Sequence, residues 1–236
     1  MNAHRIGRLA LLAFVVSLLS VPAIAQEESL NPGANQNYQE KEVDVFIKSF
    51  ENDRREVSKM RAEIVEATAV RPGETLADVG AGTGLFTRLF AKQVGEDGKV
   101  LAVDIIEKFV KHVETTCKEE GLMNVRGVVS TERSCELEPA SVDVLFCCNT
   151  YHHFEYPFAM LDSMLTALKP GGRMVLIDYR VKRDDDGNVI KGHCRAGKIE
   201  VIEECTKAGF VLEKDDQGLM KGQWLIELRK PAKCKG

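Results

Sequence analysis

The sequence predicts an α/β domain built on a mostly parallel sheet, and three observations carry that prediction. From residue 75 onward, short apolar runs alternate with stretches whose apolar residues recur at three- and four-residue steps, the mark of repeated strand–helix–strand units. Val142–Cys148 is apolar apart from Asp143 and bounded by polar turns, as expected of a central strand buried on both faces. Phe210–Leu212 and Trp224–Leu228 are only about ten residues apart, too close for a crossover helix, so this final pair is expected to be antiparallel.

In chain order, residues 1–25 comprise a basic head with Arg5 and Arg8, an apolar run from Leu9 to about Val21, and Ala23-Ile24-Ala25. That is the layout of a secretory signal peptide cut after Ala25, and it predicts export, in a bacterium to the periplasm. The run is too short to span a bilayer, so no stable membrane span is expected after cleavage. Residues 26–37, polar with Pro and Gly, read as a flexible leader to a single domain over 38–236. Val43, Phe46, Ile47, Phe50, Val57, Met60 and Ile64 keep helical spacing, so one or two helices should cover about 40–69 before Arg71-Pro72-Gly73 stops them.

Thr75–Val79 is the first strand; Leu85, Phe86, Leu89, Phe90 and Val94 form a helix face ending at Gly95. Val100–Ile106 is the second strand, followed by a helix through Phe109, Val110, Val113 and Cys117, then by Val125–Val129 and Val142–Cys148. Pro157 suits the first turn of a helix that Lys169-Pro170-Gly171-Gly172 should end, and Met174–Tyr179 is a fifth strand. A last helix carries Ile199, Ile202 and Cys205 and closes at Gly209.

The chain has 32 basic and 36 acidic residues. Without the first 25 residues the balance is 30 to 36, and such a body repels a phosphate backbone, so a small molecule is the expected partner and nucleic acid is not. Seven cysteines occur without C-x-x-C or zinc-type Cys/His spacing, so buried, unpaired thiols and no metal are expected. Asp184-Asp185-Asp186-Gly187 places its glycine fourth rather than sixth, which suits a solvated turn and not a calcium loop.

The most informative stretch is Asp78-Val79-Gly80-Ala81-Gly82-Thr83-Gly84 between the first strand and a helix. Alternate glycines permit a sharp turn and close approach of a ligand, and the helix start offers free N–H groups. A glycine-rich turn alone does not establish a site. Asp104, 20 residues after Gly84 at the end of the next strand, is placed to accept ribose hydroxyls or, equally, to cap the following helix. Dinucleotide loops require a third small residue where this chain has Leu85, which disfavours a nicotinamide oxidoreductase without excluding it. Asp78 would oppose a pyrophosphate and suit a cationic amino group.

These blocks, together with Val100–Asp104, Val142–His153 and Leu168–Gly172, resemble a class I S-adenosylmethionine-dependent methyltransferase over about residues 40–230. Within that class the chain is most similar to small exported bacterial methyltransferase-domain proteins, and more distantly to quinone-pathway C-methyltransferases. The resemblance implies a doubly wound, Rossmann-like sheet of seven strands with the last antiparallel, and an N-terminal helical cap over about 38–70. It implies S-adenosyl-L-methionine as cofactor, with Gly80, Ala81, Gly82, Thr83 and Gly84 at its methionine and ribose parts and Asp78 near its amino group. Asp104 and Ile105 would lie at the ribose side, Glu132 by the adenine, and Asn149 between the methionine end and the acceptor. His152 and His153 leave the same sheet edge and are candidate general bases, although methyl transfer needs mainly in-line positioning; His193 is a further pocket candidate. A binding protein that kept the fold and lost the reaction is the remaining alternative, because export separates the chain from cytosolic cofactor.

Overall fold

A computed structural model describes residues 27–184 and 192–232. The signal-like segment 1–25, Asp185-Asp186-Gly187 of the acidic turn, and Cys234 lie outside the described residues.

Seven strands form one sheet: β1 (Thr75–Val79), β2 (Lys99–Asp104), β3 (Val125–Val129), β4 (Val142–Cys148), β5 (Leu168–Tyr179), β6 (Val211–Asp216) and β7 (Gln223–Arg229). Their order is β3-β2-β1-β4-β5-β7-β6, with β7 antiparallel to both neighbours and the other pairings parallel. The doubly wound sheet with its antiparallel last strand is therefore as expected. From β1 the chain winds outward through β2 and β3 on one side and returns to β4 on the other. The crevice at the carboxyl ends of β1 and β4 is thus a topological switch point, where ligands bind in open α/β sheets.

Alternation along the strands divides the core into two layers. On β4, Val142, Leu145 and Cys147 face one layer while Val144 and Phe146 face the other, and all five are fully buried. The first layer is closed by α7 (Pro157–Ala167) and α8 (Lys198–Lys207) through Leu161, Met164, Val201 and Cys205; the second by α5 (Leu85–Val94) through Phe86, Phe90 and Val94. α6 (Glu107–Glu119) covers β2 through Val113 and Cys117. The six described cysteines are free thiols, all buried except half-buried Cys148.

Three local expectations change. The N-terminal helical region is four short helices rather than one or two: α1 (Gln36–Glu40), α2 (Val43–Phe50), α3 (Glu56–Lys59) and α4 (Arg61–Thr68). β5 begins at Leu168, because Lys169–Gly172 bulges between the Val142–Leu168 and Val144–Arg173 pairs and bonds across to Lys230 instead of leaving the sheet. The stretch read as a leader is fastened to the loop after β4. Leu30 N–H donates to the Glu155 carbonyl (2.8 Å), Asn31 Nδ2 to the His152 carbonyl (2.9 Å) and Gly33 N–H to the Glu155 carboxylate (3.1 Å). Among the described residues no helix is long and apolar enough to cross a membrane.

Candidate functional site

The glycine turn is built by its neighbours. Gly80 and Ala81 N–H groups both donate to the Val103 carbonyl (2.8 and 3.0 Å), folding the turn back over β2. Gly80, Gly82 and Gly84 have φ of +77°, +54° and +81°, values that favour glycine. A Cβ on Gly80 would lie 2.2 Å from Thr150 Cγ2, so the loop after β4 seats directly on this turn. Gly84 differs in role. It caps α5 and faces Val113 of α6, where a Cβ would meet Cγ2 at 2.8 Å, and it lines neither part of the cavity. At Gly84 the structure shows helix packing beside the turn.

Two carboxylates are buried beside the turn. Asp104 Oδ2 accepts the Gly82 N–H (2.8 Å) and Oδ1 the Ile106 N–H (2.9 Å), so it ties the glycine turn to the segment leading into α6 and keeps a lone pair on each oxygen beside the cavity that it lines. Asp78 accepts the Thr87 hydroxyl (2.6 Å). Burial pushes Asp78 up to about 7, aided by the nearby Asp104, and pushes Asp104 up to about 6 against the opposing N–H bonds of Ile106 and Gly82. Two such groups together favour a partner that brings positive charge and hydrogen-bond donors.

The cavity has two adjoining lobes, which share Gly80, Gly82, Asn149 and His153. The smaller holds Asp104, Ile105 and Glu132; the larger holds Asp78, Ala81, Thr83, His152 and His193. The candidates from the glycine turn, the strand ends and the histidine loop therefore converge, apart from Gly84. Tyr38 and Phe50 line both lobes and belong to an aromatic cluster with Phe46 and Phe109 (ring centroids 5.3–6.4 Å apart), which places α1 and α2 as a cap. Arg88 of α5 locks this cap by pairing with Glu51 (2.8 Å) and donating to the Thr83 carbonyl (3.0 Å).

At the end of β4, Asn149 has φ of +52°, and its N–H donates to the Ile177 carbonyl (2.8 Å). Its side-chain Oδ1 and Nδ2 are both buried and have no hydrogen-bond partner, although they stand in the wall shared by the two lobes. A buried amide left unpaired costs about 1–3 kcal/mol, which makes Asn149 a candidate to bond a ligand.

The 3-10 turn Tyr151–His153 follows. His152 is buried, with Nδ1 2.7 Å from Asp178 Oδ1 and Nε2 2.9 Å from His193 Nε2. His153 Nε2 lies 3.2 Å from the Tyr38 hydroxyl; burial and then the two neighbouring histidines push its pKa down to about 4. His193, from the segment after β5, is lowered by burial and then by His152. Burial raises the Tyr38 hydroxyl. Sequence reasoning placed Phe50 in the covering segment and Thr150 in the acceptor-side loop without a role for either, and it missed Tyr38, Asp178 and Tyr179. Asp178 and Tyr179 end β5 beside β4, and position at that sheet edge was the available signal.

Residues 76–172, from β1 into β5, match the family model described as a methyltransferase domain. The chain is 31% identical over 116 residues to a ubiquinone/menaquinone biosynthesis C-methyltransferase UbiE of Ectopseudomonas mendocina, covering 49% of this chain and 45% of that one. It is 29% identical to a ubiquinone biosynthesis O-methyltransferase of Methylococcus capsulatus, covering 49% and 48%. The matched region thus spans just under half the length of these curated relatives. A crystal structure of a SAM dependent methyltransferase from Aquifex aeolicus superposes with a TM-score of 0.69 at 24% identity, over 81% of this chain and all of that one. The fold is accordingly the Rossmann-like class I methyltransferase fold.

Proposed function

We propose that this chain transfers the sulfonium methyl of S-adenosyl-L-methionine to a small-molecule acceptor. The observation that carries the reading is the orphaned Asn149 amide, buried between the glycine turn and the histidine loop at the switch point of this fold. The two raised carboxylates agree with it, since a cofactor that brings a cationic sulfur, an ammonium and two ribose hydroxyls supplies what both lack.

In this reading Asp104 and Ile105 hold the ribose side, with Glu132 at the outer end of the smaller lobe. Gly80 and Gly82 give close backbone approach, Asp78 faces the amino group, and Asn149 satisfies its amide at the methionine end. Bound there, the cofactor supplies an electrophilic methyl on a positively charged sulfur. The chain's own contribution is orientation and exclusion of water, the latter through Tyr38 and Phe50 of the cap. His153, held neutral near pH 7, offers a hydrogen bond to the acceptor rather than strong base catalysis. The acidic surface and the names of the quinone-pathway relatives support a small-molecule acceptor over nucleic acid.

We further propose that the protein belongs to the small exported type and works in the periplasm; the support is the basic, apolar and Ala-Ile-Ala layout of residues 1–25. Calorimetry with S-adenosylmethionine and its demethylated product tests cofactor binding, and absence of heat with both removes the proposal. Labelled methyl transfer into fractionated envelope extract tests the reaction; saturable binding without incorporation leaves a binding protein.

A further inference from the structure

We propose that His152, His153 and His193 form a three-histidine site for a borderline divalent transition-metal ion of the zinc class, with Asp178 orienting His152 from behind. One ring nitrogen from each histidine lies within 4.8 Å of the others, and the His152 and His193 Nε2 atoms are 2.9 Å apart. Nitrogens bound tetrahedrally at zinc–nitrogen distances of about 2.0–2.1 Å sit about 3.3 Å from one another, so ring shifts of about an ångström complete the set.

The partners of the His152 ring fix its ligand atom. Asp178 Oδ1 holds His152 Nδ1 and also accepts the Tyr179 N–H (2.8 Å), while Oδ2 accepts the His152 N–H (3.1 Å). Asp178 is thereby engaged as the outer partner that sets the His152 tautomer and directs Nε2 toward His193, the carboxylate–histidine–metal arrangement. An ion takes the place of the proton shared between the two Nε2 atoms, and His193 carries that proton on Nδ1 instead. His153 releases its bond to Tyr38, whose hydroxyl turns within the cap.

A second buried grouping, His152, Asp178 and Cys194, would take the Asp178 carboxylate away from the His152 ring and the two backbone N–H groups it already holds. The imidazole set is therefore the one available. Without carboxylate oxygens it suits zinc, cobalt, nickel or copper and not magnesium or calcium. All three histidines line the larger lobe, so the fourth coordination position opens into the cavity, as in catalytic rather than structural zinc sites. That an acceptor occupies this position rests on the methyl-transfer reading; the metal site does not.

The test is titration of the untagged, chelator-treated full-length protein with Zn²⁺ by calorimetry, and with Co²⁺ by visible absorption. The expected result is one ion per chain and the spectrum of nitrogen-bound tetrahedral cobalt. His193→Ala, at an exposed position, should weaken binding by about 100-fold or more, and Asp178→Asn by about 10–100-fold. His112→Ala, on α6 away from the cavity, should change nothing. Absence of saturable binding of Zn²⁺ and Co²⁺, or equal affinity in His193→Ala and the unsubstituted protein, overturns the site. Retained binding of the demethylated cofactor by His193→Ala separates this outcome from failure of the methyl-transfer reading.

Discussion

Replacing Gly80 with alanine tests whether the glycine turn and the loop after β4 are one unit. The new Cβ would lie 2.2 Å from Thr150 Cγ2, 2.3 Å from its Oγ1 and 2.7 Å from its Cβ, at a backbone φ of +77°. The left-handed conformation costs an alanine about 1–2 kcal/mol. Forcing extra volume into the contact adds about 1–3 kcal/mol, for a total of about 2–5 kcal/mol. These two parts separate in a double-mutant series. Thr150→Ala removes the 2.2 and 2.3 Å contacts but leaves the one at 2.7 Å, whereas Thr150→Gly removes all three. Rescue of Gly80→Ala should therefore be partial with alanine at 150 and larger with glycine, the coupling reaching about 1–3 kcal/mol while the backbone cost persists. Urea unfolding of the six combinations measures it. A Gly80→Ala protein within about 0.5 kcal/mol of the original, or costs at 80 and 150 that simply add, would refute the packing described between turn and loop.

Asn149→Gly should weaken binding of the demethylated cofactor by about 10–100-fold, the loss of two hydrogen bonds, while raising unliganded stability by about 0.5–1 kcal/mol; a fall in both would contradict the orphan-amide reading. Asp78 and Asp104 titrate above their ordinary value, so the folded protein holds more protons than the unfolded chain between about pH 4 and 7 and their contribution to stability declines as pH rises through that window. The melting temperature of Asp78→Asn should consequently depend less steeply on pH there, and a steeper dependence counts against the assignment. His153, depressed to about 4, makes the opposite contribution: the unfolded chain protonates first, so stability is lost as pH falls from 6.5 toward 4. Its ring should show no protonation above pH 5 by NMR. Arg173→Met removes the more buried of Glu74's two arginine partners (3.0 Å), leaving Arg71 at 2.6 Å, and should cost about 1–3 kcal/mol in urea unfolding without changing cofactor affinity.

The strands were legible where burial is two-sided and local. Val142–Cys148 was bounded to the residue from its apolar run alone, because both faces of β4 meet core. β6 was seen only at its first residues, since most of Val211–Asp216 is an exposed, charged sheet edge with no alternation to detect. The four-helix division was hidden by coincidence of period. Phe50 and Val57 are seven residues apart, two helical turns, so their spacing runs through a break where Arg55 N–H turns back to the Asn52 carbonyl. The bulge at Lys169–Gly172 depends on Lys230, 58 residues beyond Gly172, and no local rule contains that partner.

The site divides along the same line. Asp78 through Thr83 was legible because one contiguous stretch carries both the turn and the carboxylate, whereas the histidine cluster joins positions 26 and 41 residues away from His152 through the register of β4 and β5. Metal-type spacing cannot reveal such a set, which is why the sequence predicted no metal. Asn149 shows how the two kinds of information combine. Asparagine enters the left-handed region more readily than most side chains, and that permits the +52° turn that starts the histidine loop. Conformation alone, however, would be served as well by glycine, which leaves no amide to satisfy. An asparagine that accepts backbone strain and also buries two unpaired polar atoms is less stable than the glycine alternative. On the proposed reading, a ligand that bonds the amide accounts for its presence, and the fold brings Asn149 to the junction of both cavity lobes.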